Sequence, residues 1–186
     1  MLEDMERRGV LPHRALLPWR PAEREEFPTE NSGETVVFTS FFERGFSLPT
    51  GSFFRGLLRY YGLELTHMTP NSIGAIAFFI KFCESYLGIP PHFGLFHYLY
   101  AVRSHPSKEK PKVVGGASFQ MRQHRHTQYF KVEMDGTNKN WAENWFYIDN
   151  PVPALPERTG RAPVHRPEWD NCLAQTRWGR LQPCST

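Results

Sequence analysis

Between Arg103 and Lys131 the sequence gathers seven basic side chains, Arg103, Lys108, Lys110, Lys112, Arg122, Arg125 and Lys131, against the single acid Glu109. His105, His124 and His126 stand among them, and Tyr129 and Phe130 fall at the far end. Cations in such a run can neutralise backbone phosphates, and an aromatic ring beside them can stack on an unpaired base. Lys112, Arg122, Arg125, Tyr129 and Lys131 are therefore the candidate nucleic-acid-binding residues. Binding by this set would be weak and independent of sequence, because no recognition-helix or zinc pattern supplies base readout. A solvated loop-and-hairpin face is the commoner use of such a segment. The rest of the chain adds no charge argument, since 22 basic and 19 acidic residues leave only +3.

Other chemistries find weaker footing. A metal nuclease of the integrase type needs three carboxylates on a ribonuclease-H-like sheet to hold two ions. The aspartates are Asp4, Asp135, Asp149 and Asp170, and no alternation of strands and helices accompanies them. "DGT", 135–137, has the letters of an aspartic protease motif in the wrong order and reads as a hairpin turn. "YIDN", 147–150, is close to the Tyr-x-Asp-Asp of reverse transcriptases, but Asn150 replaces the second carboxylate and a strand end is the better reading. Cys172 and Cys184 lack the neighbours of a zinc knuckle. "HRH", 124–126, is better explained by an exposed turn than by a metal. Glu84 reads as the i, i+3 partner of Lys81, or a cap to a neighbouring loop, before it reads as a buried acid. His67 and Asn71 read as local capping before they read as a ligand pair. The expectation is no catalytic residue, no metal and no cofactor.

Positioning falls to two kinds of element. Residues 2–9 suit a short helix stopped by Gly9, and the proline- and acid-rich 10–34 an extended segment pinning Trp19 and Phe27 on the core. "VVFTSFFERGF", 36–46, opens with a β-branched pair, yet Phe38, Phe41, Phe42 and Phe46 fit a helical stripe, and a short helix ending near Gly45 is favoured. In 50–62, Phe53, Phe54, Leu57, Leu58 and Tyr61 share one face, Thr50 or Ser52 caps, and Gly62 stops the helix. The most apolar stretch follows at 69–100. Thr69 caps, Pro70 takes the first helical position, and Ile73, Ile76, Ala77, Ile80, Cys83 and Leu87 keep helical spacing up to Gly88. Its strongly apolar part, 73–83, contains Lys81 and is well short of the roughly 20 residues of a bilayer span, so a buried central helix is predicted. A further helix fits about 92–102. Then "KVVGGASFQMR", "TQYFKVEM" and "NWFYID" read as strands of a three-stranded antiparallel meander. After Asn150 prolines crowd and periodicity vanishes, which predicts a linker and loose tail dispensable for folding beyond about 156.

The resulting fold class is α+β: a compact helical part around a buried central helix, a small antiparallel β-meander and a disordered Pro-rich tail. The organisation is 1–34 as N-terminal helix and extended segment, 35–150 as the domain (helices 35–103, meander 112–149) and 151–186 as tail. The three cysteines form no close pair, which favours a reducing compartment. "MLEDMERRGVLPHR" lacks the apolar stretch of a signal peptide. An intracellular setting, nuclear or cytoplasmic, and no membrane partner are expected.

Several motifs recur in one order: Gly33-Glu34, Val36–Phe38, Phe41–Gly45, Pro49 with Phe53–Leu58, His67 with Pro70-Asn71, Phe82–Ile89, Gly115-Gly116, and "KNWAENWFYIDNP". In that order and spacing, over roughly residues 9–156, the sequence resembles the putative gypsy-type transposon domain of plant genomes. The resemblance implies a transposon-derived reading frame in a plant nuclear genome and supplies no catalytic residues. Longer members continue into a charged helical region, whereas "RWGRLQPCST" reads as the end of a truncated or drifted product. Two functions follow as expectations. The favoured one is a non-catalytic structural or interaction module, self-associating or binding other retroelement proteins. The alternative is a sequence-independent nucleic-acid-binding module built on 103–131. A transposase-type enzyme, the literal sense of the family name, is the least favoured.

Overall fold

Thr69 ends an extended stretch, its hydroxyl oxygen accepts from the Ser72 N–H at 3.3 Å, and Pro70 opens the helix behind it. In the computed structural model, which describes residues 1–23, 25–122, 139–151, 155–171, 173–175 and 181–183, this start leads into the longest helical rod. Six helices are numbered in chain order: α1 (Leu2–Arg7), α2 (Thr39–Glu43), α3 (Ser52–Tyr61), α4 (Pro70–Phe82), α5 (Phe93–Leu99) and α6 (Pro167–Asp170). The strands are β1 (Trp19–Pro21), β2 (Glu34–Phe38), β3 (Tyr100–Ser104), β4 (Ala117–Met121), β5 (Trp145–Asp149), β6 (Leu173–Gln175) and β7 (Leu181–Pro183). The described residues are thus a mixed α+β fold.

α4 runs on through one π-helical segment, Cys83–Leu87, to Gly88 in the left-handed conformation at φ 64°. Ile73, Ala75, Ile76, Phe79 and Cys83 are buried, as a central helix requires. The far end differs from the expectation of a helix buried all round. From Glu84 to Pro90 every residue is exposed, because the rod outruns its neighbours after Cys83. α3 buries Phe54, Leu57, Leu58 and Tyr61 on the predicted face and stops at Gly62, φ 63°. Its start is Gly51 with no side-chain cap bond, so neither Thr50 nor Ser52 caps it.

The stretch 36–46 divides. Val36 and Val37 are β-branched and stay extended in β2, and the turn into α2 comes only at Thr39, whose N–H donates to the Asn144 carbonyl at 3.1 Å. Rings then fill the space between elements. Trp141 stacks on Phe41 at 5.7 Å and meets Phe38 edge-on. Phe96 packs against Phe53, Phe79, Tyr100 and Phe119. Trp19 is buried, its indole N–H donating to the Pro12 carbonyl at 3.3 Å, while Phe27, expected beside it, is 73% exposed.

The β-meander is not what forms. β5 is the centre of a three-stranded antiparallel sheet ordered β1-β5-β2, with Val36 opposite Tyr147 and Trp19 opposite Ile148. Both edges of β5 are therefore taken by strands from the first forty residues, and none is left for a neighbour in sequence. β4 pairs antiparallel with β3, which is the end of the helix expected over 92–102. Tyr100, Ala101 and Val102 extend because their side chains are buried in the sheet. The predicted middle strand, 127–134, lies outside the described residues. β6 and β7 pair with each other.

Residues 155–171 overturn the expectation of a loose tail. Leu155, Pro163 and Trp169 are buried, and Trp169, 1% exposed, donates its indole N–H to the Tyr61 carbonyl at 3.1 Å. Arg158 grips Glu30 with two bonds of 2.7 Å. This strap is held by anchors spaced irregularly along extended chain, and such anchors leave no period to read.

Candidate functional site

The hairpin β3–β4 and its loop carry the described part of the basic segment. Arg103 projects from β3 opposite Ser118 and is exposed. The loop folds back where the Lys112 N–H donates to the His105 carbonyl at 2.7 Å, leaving the Lys112 side chain exposed. His105 Nε2 lies 2.5 Å from the Ser118 hydroxyl, and burial together with nearby Lys112 lowers its pKa. Lys108 is tied to Asp170 at 2.7 Å, and that ammonium holds the Asp170 carboxyl below its ordinary range. Arg122 donates to two main-chain carbonyls, His97 at 3.3 Å and Asn171 at 2.7 Å. Among the candidate residues, Lys112 thus faces solvent, Arg122 clamps the strap, and Arg125, Tyr129 and Lys131 lie outside the described residues. Arg103, Lys110 and Lys112 make no ion pair among the described residues.

A buried polar cluster sits where the strap crosses the turn before α4. The Glu64 N–H donates to His67 Nδ1 at 3.0 Å, so the imidazole proton is on Nε2, which donates to the Arg161 carbonyl at 2.9 Å. Thr159 donates to the Glu64 carboxylate at 2.6 Å. Burial lowers the His67 pKa, against the opposing pull of the Arg161 carbonyl and Glu64. His97 is lowered for the same first reason, with Arg122 adding to it. Both imidazoles serve the strap, His97 Nε2 bonding the Asn171 carbonyl at 2.6 Å. His67 is a capping residue as its position before Pro70 suggested, and Asn71 is exposed in the first turn of α4.

The exposed tip of α4 is the feature that sequence reasoning passed over. Tyr86 is 80% exposed and Leu87 46% in the last turn of the projecting rod, and Ile89, just past the Gly88 stop, is 41% exposed. Phe78 stacks on Phe82 and Phe82 on Tyr86, at 6.2 and 6.0 Å, so the tip ends a ladder of rings. Glu84 is exposed there too, and no ion pair joins it to Lys81. The signal available was "YLGIPP": apolar residues immediately before a glycine stop and two prolines have little rod left to bury them. A second feature had no local signal. Trp19, Arg14, Glu143 and Trp145 line a groove of ≈ 460 Å³, with the Arg14 guanidinium 5.1 Å from the Trp19 ring centre. Its walls come from segments far apart in sequence.

Among the described residues no three His, Cys, Asp or Glu side chains gather closely enough to hold a metal ion. No described helix is long and apolar enough to cross a membrane. Residues 36–104 match the family described as putative gypsy type transposon. The gypsy-type segment starts inside β2, takes in α2 to α5, and ends on Ser104, the last residue of β3. It is shorter than the resemblance over 9–156: Gly33-Glu34, Gly115-Gly116 and the "KNWAENWFYIDNP" stretch fall outside it. Lys112 and Arg122 fall outside it as well. No curated protein and no solved structure matches the chain.

Proposed function

We propose that this chain is a non-catalytic interaction module of a gypsy-type transposon-related protein, and that it docks through the tip of α4. The observation that carries this reading is the run of exposed apolar side chains Tyr86, Leu87 and Ile89 at the end of a helix whose other end is core. Leaving such residues in water forgoes burial worth about 1.5–3 kcal/mol for a large apolar side chain, and contiguous patches of this kind mark contact surfaces. The π-helical segment that ends the rod supports the same reading, since such segments are frequent at functional sites. The test is a photo-crosslinking amino acid at position 86, compared with one at Leu16, 83% exposed and distant in sequence. Protein adducts from position 86 and none from position 16 support docking at the tip. No adduct from position 86 refutes it.

One observation favours a second reading, weak nucleic-acid binding: the three exposed cations Arg103, Lys110 and Lys112 without ion-pair partners among the described residues. Three phosphate contacts on duplex DNA would give a slope of log affinity against log salt of about −2.7. Arg103→Ala, Lys110→Ala and Lys112→Ala together should then abolish a low-salt mobility shift. Arg122→Ala should leave the slope unchanged, because its guanidinium is spent on carbonyls. A transposase-type activity has less support than either reading.

A further inference from the structure

We propose that Lys108 is a further phosphate-contacting residue of the β3–β4 loop, and that Asp170, at the end of the strap, holds it off nucleic acid as an autoinhibitory contact. The proposal rests on the nucleic-acid reading and adds to it a residue and a means of control. Within the run 103–131 the single acid is Glu109, next in sequence to Lys108. The fold brings another from 62 residues away: the Asp170 carboxylate accepts from the Lys108 ammonium at 2.7 Å. Lys108 shares its loop with Lys110 and Lys112, and its side chain is 51% exposed. A mobile surface pair of this kind is weakly held, and a phosphate would displace its carboxylate. Asp170 is not mobile. Its carboxylate also accepts from His165 Nε2 at 2.9 Å, and its backbone follows Trp169, which is buried and bonded to the Tyr61 carbonyl. Lys108 first, then His165, hold its carboxyl below the ordinary range, so it stays ionised at neutral pH. A phosphate approaching Lys108 therefore meets a fixed anion already on the same ammonium, and like charges repel. The neighbouring strap residue acts in the same sense. Asn171 gives its carbonyl to Arg122 at 2.7 Å, so two consecutive strap residues occupy two cations of the run with oxygen acceptors, as phosphates would.

Removing the charge while keeping the shape tests the contact. Asp170→Asn leaves an oxygen for His165 and sits at an exposed position, so the melting temperature should be unchanged while Lys108 is released. Binding of the full chain to a fluorescently labelled duplex DNA is read by anisotropy from about 50 to about 200 mM salt. With Arg103, Lys110 and Lys112 in contact, the original chain should give a slope of log affinity against log salt of about −2.7, and Asp170→Asn about −3.6, one contact more. At the low-salt end the variant should bind about tenfold tighter, and that advantage should shrink about fourfold by the high-salt end. Lys108→Ala added to Asp170→Asn should return the slope to about −2.7. Glu168→Gln removes the same charge two residues away, on an exposed side chain, and should leave the slope as it was. An Asp170→Asn slope equal to the original, a steeper slope that survives Lys108→Ala, or equal steepening by Glu168→Gln would each overturn the proposal. If Asp170→Asn changes nothing while Arg103→Ala, Lys110→Ala and Lys112→Ala together abolish binding, the nucleic-acid reading stands and the autoinhibitory contact is refuted. Binding by Asp170→Asn with none by the original chain is complete masking and supports the proposal. If no form of the chain binds the duplex, both fall.

Discussion

A single hydrogen atom at position 116 decides whether the β3–β4 loop can close. A Cβ built on Gly116 would stand 1.8 Å from the Lys112 carbonyl oxygen and 2.9 Å from Pro163 Cδ. The first obstacle is backbone, so no side-chain rotation relieves it. Gly116→Ala should cost about 3 kcal/mol, the upper part of the range for overpacked sites, and an unchanged denaturation midpoint would contradict the packing. Histidine supplies a second prediction at this scale. His67 and His97 are buried, lie 3% and 1% exposed, and their folded pKa values are pushed below the ordinary 6.5, by burial first. When pH falls below about 6.5 the unfolded chain takes up protons that the folded chain refuses, so stability falls with pH. Their contribution is complete above that value and is lost as pH drops toward the folded values, by at most about 1.4 kcal/mol per pH unit for each imidazole. His105, shifted the same way, adds to the trend. Urea midpoints measured from pH 7.5 to 5 should fall, and His97→Gln should flatten the fall while lowering stability at pH 7.5. A midpoint constant over that range would sink the assignment of neutral buried imidazoles.

Within the elements, α4 holds two chemistries on one rod. Ile76, 1% exposed, sits in the core, and Ile76→Asp would bury a carboxylate with no cation to meet it. The loss should be at least about 3 kcal/mol, whereas Tyr86→Ser, ten residues along, should stay within about 0.5 kcal/mol. Equal effects at the two positions would contradict the projecting tip. Local order was the part of this fold that the sequence showed well. Thr69-Pro70 and Gly88 mark the ends of the rod, and Gly62 marks the end of α3, because caps and stops act within one turn. Long-range pairing was not visible. Val36-Val37 looks like a strand only once Phe146 and Tyr147 lie beside it, and 109 or more residues separate them. The candidate site divides along the same line. The basic residues were visible as a run of charge, yet whether Arg122 faces a phosphate or a carbonyl depends on Asn171, 49 residues away. The exposed tip was hidden because hydrophobic periodicity marks an apolar residue without saying whether anything covers it.

At the scale of the whole molecule, the chain's two ends close over its middle. β1 from the first twenty-odd residues completes the sheet around β5, and the strap 155–171 runs back over the ends of α3 and α5 and the turn before α4. Proline density suggested a segment without structure, but prolines also suit a strand of chain that crosses a surface without pairing in a sheet. Here the anchors matter: Trp169 fills a buried site, and the Glu64, His67 and His97 side chains each find their partner on the strap. Removing it would open the Trp169 site and strand two imidazoles and a carboxylate that are otherwise bonded. Ending the chain at Pro156 should therefore destabilise it by at least the roughly 3–5 kcal/mol typical of deleting one buried tryptophan. Trp169→Ala should reproduce most of that loss, because the ring supplies most of the apolar contact. The measurement is chemical denaturation of the full chain, the Trp169→Ala variant and the truncated chain, with limited proteolysis alongside. In the full chain, cleavage between Leu155 and Asn171 should be as slow as cleavage within α4, and Trp169→Ala should speed it. A truncated chain as stable as the whole, or a strap cut long before α4, would show that the segment rests on the core without holding it.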